Sequence, residues 1–110
     1  MSTPSNIVFF GIRINLAAED IPSIETRKHP LNVRARESGL QTYFGNFGDI
    51  YPLYYLLVGK VIGKTGPENK DAVELSSDEL FQIISQVQEK LQAAKFDIAP
   101  KLYTMWIPDA

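Results

Sequence analysis

Residues 53 to 62 read Leu-Tyr-Tyr-Leu-Leu-Val-Gly-Lys-Val-Ile, and this is the most apolar segment of the chain. Every position except Gly59 and Lys60 carries an apolar or aromatic side chain. A strand with one face in water alternates in polarity, whereas a strand covered on both faces does not. The segment therefore predicts a strand in the middle of a sheet.

The residues that follow this strand predict a hairpin. Gly63, Gly66 and Pro67 are typical of a loop. Residues 72 to 75, Ala-Val-Glu-Leu, then suffice for a short second strand that returns beside the first.

Strands are also predicted near both ends of the chain. Residues 6 to 16 place apolar side chains at every second position, at Val8, Phe10, Ile12, Ile14 and Leu16. Gly11 in this segment indicates a bulge or a close approach of another backbone. Residues 102 to 107 also have strand propensity, and Pro108 ends them.

The clearest helix is predicted over residues 77 to 95. Ser76 and Glu79 have the spacing of a capping box. Apolar residues then recur at helical spacing, at Leu80, Ile84, Val87, Leu91 and Ala94.

A broken helix is predicted between the first two strands. Asp20 can cap its start and Pro22 suits its first turn, whereas Pro30 should divide it into pieces at 20 to 29 and 30 to 38. Gly39 should end the second piece in a left-handed conformation, with Leu40 packing back on the helix.

Together these elements predict one α+β domain over residues 1 to 110, in the order β-α-β-β-α-β. This is the order of the split βαβ, or ferredoxin-like, arrangement, with a mainly antiparallel sheet and helices on one face. The strand order stays open at this point. The apolar segment 53 to 62 would be the second strand, which lies at a sheet edge in that fold, and a different order would suit it better.

The composition excludes several kinds of chemistry. The 110 residues contain no cysteine, which excludes disulfides, thiolate nucleophiles and cysteine-based metal sites. The net charge of −2 does not favour nucleic acid or an anionic membrane as a partner. The apolar run at residues 7 to 12 is too short for a signal peptide or a membrane span, so a soluble, cytoplasmic protein is expected.

No catalytic residue, metal ligand or cofactor site is predicted. His29 is the single histidine and is interpreted as a surface or helix-end residue. The segment from Gly59 to Thr65 has the wrong glycine spacing for a phosphate-binding loop, and no helix can begin at Gly66-Pro67. Paired carboxylates at positions 19–20 and 78–79 fall in first turns of helices, where their charge is favourable.

The basic residues at positions 27, 28, 34 and 36 do not form a clear binding stripe. On a continuous helix Arg27 and Arg34 would share a face, whereas Arg36 would point away from Arg34. Glu25 and Glu37 also intervene. A solvated face is therefore favoured over a nucleic-acid surface.

Residues 43 to 55 contain six of the chain's twelve aromatic residues. Gly45 and Gly48 permit tight turns, which predicts that at least part of this segment is a loop. Half-buried tyrosines with hydroxyls in water are the ordinary structural interpretation of such a cluster. Aromatic residues on loops are also typical of interface centres.

The leading hypothesis is a small non-enzymatic protein-binding module, similar in size and charge to inhibitors and immunity proteins. Phe47, Tyr51 and Tyr54 would be aromatic anchors, and Asp49 would be a charge at the rim. The partner would be another protein or a second copy. The alternative is a small enzyme or ligand carrier with a pocket beside residues 43 to 55, using Asp49, His29 or a tyrosine hydroxyl. Nucleic-acid binding is the third hypothesis.

Overall fold

A computed structural model describes residues 5–46, 54–66 and 73–107. The first helical region is a 3₁₀ turn (Ala18–Asp20) followed by two short helices. The strands and helices, in chain order, are β1 (Ser5–Asn15), α1 (Ile21–Glu25), α2 (Pro30–Glu37), β2 (Gln41–Asn46), β3 (Tyr54–Thr65), α3 (Ser77–Ala93) and β4 (Lys101–Ile107). None of the helices in these ranges is long and apolar enough to cross a membrane.

The four strands form one sheet in the order β2-β3-β1-β4, and every neighbouring pair is antiparallel. This is the strand order of the ferredoxin-like arrangement, so the α+β prediction is confirmed. β1 and β3 occupy the two central positions. The apolar segment 53 to 62 lies largely within β3, as a strand in the middle of a sheet should.

The predicted hairpin between 53–62 and 72–75 is wrong. β3 is the third strand, and its hairpin partner is β2, which precedes it in the chain. Residues 73 to 76 form no strand. The Val73 side chain lies so close to Gly63 that a Cβ there would overlap its methyl groups, so this segment contacts the sheet through side chains instead. The apolar strand is the third strand of the chain and not the second, so it lies inside the sheet and not at the edge.

Gly11 and Gly59 face each other across β1 and β3 at the centre of the sheet. A Cβ on Gly11 would overlap the Val58 carbonyl oxygen, and one on Gly59 would overlap the Phe10 carbonyl oxygen. The close backbone approach predicted at Gly11 is therefore confirmed. Further along the pair, Val8 lies opposite Gly63 and Phe9 opposite Val61, a bulge that leaves an extra residue in β3.

The sheet has apolar residues on both faces. The helix face is the face that the helices cover, where one core cluster joins Ile12 and Leu56 of the sheet to Ile24, Ala35 and Leu91 of the three helices. The opposite face carries a smaller cluster in which Ile7, Phe9 and Leu57 are buried and other strand residues are half-buried. β1 and β3 are thus buried on both sides where they cross the centre.

The helix boundaries follow local signals. The Ser76 hydroxyl oxygen accepts a hydrogen bond from the Glu79 backbone N–H at 3.1 Å, which confirms the predicted cap of α3. The second helix begins at Pro30 as predicted, but the first ends at Glu25 instead of residue 29, so residues 26 to 29 form a turn. Gly39 has φ 74°, and Leu40 is buried, as expected for a left-handed cap. Asp20 precedes α1, but the prediction that it caps this helix is wrong. The Asp20 side chain accepts no hydrogen bond from a backbone N–H group of α1.

We expect Gly11→Ala to lower the free energy of unfolding by about 3 kcal/mol, because the new methyl group must push β1 and β3 apart in a packed centre. Urea denaturation measures this change. Lys60→Ala, on an exposed residue of the same strand pair, is the control and should change the free energy by less than about 0.5 kcal/mol. Equal stability of the two variants would contradict the close approach.

Candidate binding site

β2 and β3 bring four aromatic residues of the segment 43 to 55 together at one end of the sheet. We call Tyr43, Phe44, Tyr54 and Tyr55 the hairpin aromatics; all four are half-buried. The Phe44 and Tyr54 rings stack nearly parallel, with centroids 6.0 Å apart and an interplanar angle of 5°. Phe44 also packs against the helix-face core, so the inner edge of the stack is fixed.

The opposite face of the hairpin carries a second aromatic contact. The Arg13 guanidinium lies over the Tyr55 ring, 4.5 Å from its centroid. Tyr43 lies on the same face and packs beside Leu57. Aromatic rings therefore flank both faces of this end of the sheet, and one of them is paired with a cation.

The segment 43 to 55 is not a loop throughout: its first residues form a strand that was not predicted, and its last residues belong to the predicted strand 53 to 62. Residues 43 to 46 belong to β2 and residues 54 and 55 to β3. Tyr54, predicted as an anchor, is therefore a strand residue with its ring against Phe44. Phe47, Asp49 and Tyr51 lie outside the described residues.

His29 joins the two short helices. Its Nδ1 accepts a hydrogen bond from the Leu31 backbone N–H at 3.1 Å, which caps α2. Because Nδ1 accepts, the ring proton lies on Nε2, which donates to Asp20 Oδ1 at 3.3 Å. Both ring nitrogens thus have structural partners, and the interpretation of His29 as a helix-end residue is confirmed.

A cleft lies between the first helical region and β2. One part, of about 320 Å³, is lined by Arg27, Asn32 and Arg36. An adjoining part, of about 310 Å³, shares Arg27 and Asn32 and extends to Tyr43 and Phe44. The cleft therefore borders the hairpin aromatics.

The cleft brings together two arginines that helical spacing would separate. Arg27 lies in the turn between α1 and α2 with φ 60°, so its position does not follow a continuous helix. It consequently lines the same cleft as Arg36, whereas Arg34 lies over the Phe96 ring, 4.1 Å from the centroid. In the described part of the chain, neither Arg27 nor Arg36 has a carboxylate within salt-bridge distance.

Asn32 is the residue of this cleft that sequence reasoning missed. It is 5% exposed, and its Oδ1 has no hydrogen-bond partner among the described residues. The available signal was a polar side chain three residues before Ala35 on the buried side of α2. A buried amide with unmet hydrogen-bonding capacity is uncommon and marks a place where a polar ligand or a water would be stabilised.

Across residues 5–46, 54–66 and 73–107, the histidine and the carboxylates form no group of three that could hold a metal ion. Comparison of the chain with protein-family models, curated proteins and solved structures gave no significant match.

We expect His29→Ala to lower the free energy of unfolding by about 1 kcal/mol, the usual loss when a helix cap is removed. His29→Asn should retain most of the stability, since an asparagine oxygen can accept the same Leu31 hydrogen bond. Asp20→Asn should cost less than about 1 kcal/mol, because its contact with His29 is partly exposed. Thermal and urea unfolding measure the stability of all three variants. If Asp20→Asn lowered the free energy of unfolding more than His29→Ala, the contact with Asp20 would matter more than the helix cap.

Proposed function

We propose that this protein is a small non-enzymatic protein-binding module, of the inhibitor or immunity-protein kind, acting in the cytoplasm. The partner contacts the hairpin aromatics together with Phe47, Asp49 and Tyr51. The observation that supports this most is the stacked pair of Phe44 and Tyr54, which is ordered against the core and still partly exposed.

Side chains that are already held in place in the free protein favour a high binding affinity. A free side chain loses about 0.5–1.5 kcal/mol of conformational entropy when a complex immobilises it. The Phe44 ring is already held by the core and by Tyr54, and Tyr55 is held beneath Arg13. Aromatic and arginine side chains are also the types that dominate interface energies.

A photo-crosslinking experiment tests this site. We place p-benzoylphenylalanine at position 47 or 51 in the full chain in host cells and identify crosslinked proteins by mass spectrometry. Gln88, an exposed residue of α3, is the control position. We expect a specific protein to be captured from positions 47 and 51 and not from 88.

The captured protein is then purified, and its affinity is measured by calorimetry. Phe47→Ala, Tyr51→Ala and Tyr54→Ala should each weaken binding about 30-fold, the effect of losing roughly 2 kcal/mol at an interface hot spot. Phe81→Ala, which removes an exposed aromatic ring far along the chain in α3, should leave the affinity unchanged. Equal crosslinking from all positions, or equal affinity of the alanine variants, would refute the site.

The cleft favours a second candidate function, the carriage of a small anionic ligand. Arg27 and Arg36 supply positive charge for the anionic group, and the buried Asn32 Oδ1 would accept a hydrogen bond from a hydroxyl group of the same ligand. The nearby aromatic rings of Tyr43 and Phe44 would cover an apolar part of the ligand. This role differs from the ligand hypothesis drawn from the sequence, because its polar groups are arginine and asparagine.

For this second candidate we expect phosphate or succinate to raise the melting temperature of the wild-type protein, because a ligand that binds only the folded state stabilises it. Arg27→Gln and Arg36→Gln should abolish the increase, whereas Arg34→Gln, whose guanidinium lies over Phe96, should not. The same increase in all three variants would exclude the cleft as the binding site.

A further inference from the structure

β4 is an edge strand with few of the features that protect a sheet edge. It pairs with β1 on one side, and no described strand pairs with its other side. Edges are commonly protected by charges, prolines or bulges. Residues 102 to 106, Leu-Tyr-Thr-Met-Trp, contain no charge or proline, and the pairing with β1 is regular throughout. Among residues 5–46, 54–66 and 73–107 no strand occupies this backbone edge, so it can accept another strand.

Large apolar side chains surround this edge on the helix face. Leu102 is 56% exposed and Trp106 58% exposed, and Leu102 is placed on the helix face by its partner Phe10. α3 has its main sheet contacts with β1 and β3, and these two side chains of β4 stay more than half exposed. We call Leu102 and Trp106, with Phe81 and Ile98 (69% and 48% exposed), the edge patch.

Phe81 lies on the side of α3 that is directed toward β4. Gln88 and Gln92 of α3 line a cleft with residues 96 to 100, the segment that leads into β4. Phe81 precedes Gln88 by two helical turns, so it lies on the same side of the helix. The edge patch is consequently continuous with the wall of the groove between α3 and β4.

We propose that the partner of this edge is a second copy of the same chain, which pairs through β4 to extend the sheet to eight antiparallel strands. A two-fold axis at Thr104 places Leu102 opposite Trp106 of the second copy and Tyr103 opposite Met105 of the second copy. Lys101 then lies opposite Ile107 of the second copy, so the two lysines are far apart. The pairing thus brings no like charges together and sets large apolar side chains opposite one another.

The prolines select this register over its neighbours. A shift that centres the pair on Tyr103 would place Trp106 opposite Pro100, and one that centres it on Met105 would place Leu102 opposite Pro108. Proline cannot donate to a strand ladder. The register centred on Thr104 pairs all seven residues of Lys101–Ile107 between the prolines.

The spacing of the layers also explains the size of the exposed side chains. Strands are about 4.8 Å apart, so the two β1 strands would be about 14 Å apart and the two α3 helices about 19 Å apart. Helices in direct contact are about 8–10 Å apart. The two α3 helices would therefore leave a gap of about 10 Å between them, which side chains of the sheet must fill. Leu102 and Trp106 of both copies lie beneath this gap, and Phe81 of each copy lies beside it.

The first test is the mass of the purified full chain by light scattering at about 100 µM, well above a micromolar dissociation constant. We expect twice the 12.4 kDa of one chain. Hairpin variants such as Tyr54→Ala should leave this mass unchanged, so failure of the dimer and failure of the proposed function are distinguishable. A monomer at this concentration would overturn the proposal.

The absence of cysteine permits a direct test of the register. Thr104→Cys places two thiols directly opposite each other, about 5 Å apart between Cβ atoms, and should form a disulfide-linked dimer under mild oxidation. Leu102→Cys separates the two thiols by about 13 Å along the strands and should not. Crosslinking of both variants alike, or of Leu102→Cys alone, would overturn the register.

Charge substitutions provide a third test. They lie at exposed positions, where the fold should tolerate them, and circular dichroism checks that each variant is folded. Leu102→Lys and Trp106→Glu should each weaken dimerisation about tenfold or more. In the double variant each new lysine faces a new glutamate of the second copy, so dimerisation should recover. Gln82→Lys, at an exposed position of α3 on the side away from β4, is the control and should have no effect. Single variants that dimerise normally, or a double variant that stays monomeric, would contradict the proposal.

Discussion

The contact between β1 and β3 at Gly11 and Gly59 is the constraint on which the rest of this structure depends. Neither residue tolerates a Cβ, so the two backbones meet without intervening side chains. Apolar residues on either side of this point then fill both faces of the sheet. β2 and β4 can pair only with strands that this contact has already positioned. The hairpin aromatics and the edge patch are therefore placed at opposite margins of a common centre.

Those elements that depend on neighbouring residues were predictable. The cap at Ser76, the division at Pro30 and the left-handed turn at Gly39 each require only a few adjacent positions. β2 was missed because an edge strand needs little burial, and Gln41, Thr42 and Gly45 do not form an apolar pattern. The strand wrongly expected at 72 to 75 shows that a few apolar residues after a loop do not determine whether the segment pairs with the strand before it. Pairing depends on residues far away in the chain.

The candidate sites depended even more on distant contacts. Aromatic composition directed attention to residues 43 to 55, but the Phe44–Tyr54 stack requires the register of β2 on β3, which no local signal specifies. The shared cleft of Arg27 and Arg36 was hidden because helical spacing fails across the turn before α2. His29 shows the opposite situation. Its position before Pro30 indicated a helix-end role, and its hydrogen bonds show that role.

The position of β1 has a consequence for how the chain acquires its structure during synthesis. Ile12 pairs with Val58, and Phe10 pairs with Leu102, so β1 cannot complete its pairing until most of the chain has left the ribosome. Contacts between distant segments close large loops and slow folding. Until then the most apolar part of β1, residues 7 to 10, is exposed as an unpaired strand. The nascent chain therefore carries an apolar segment that is buried only late, and exposed apolar segments of this kind promote aggregation.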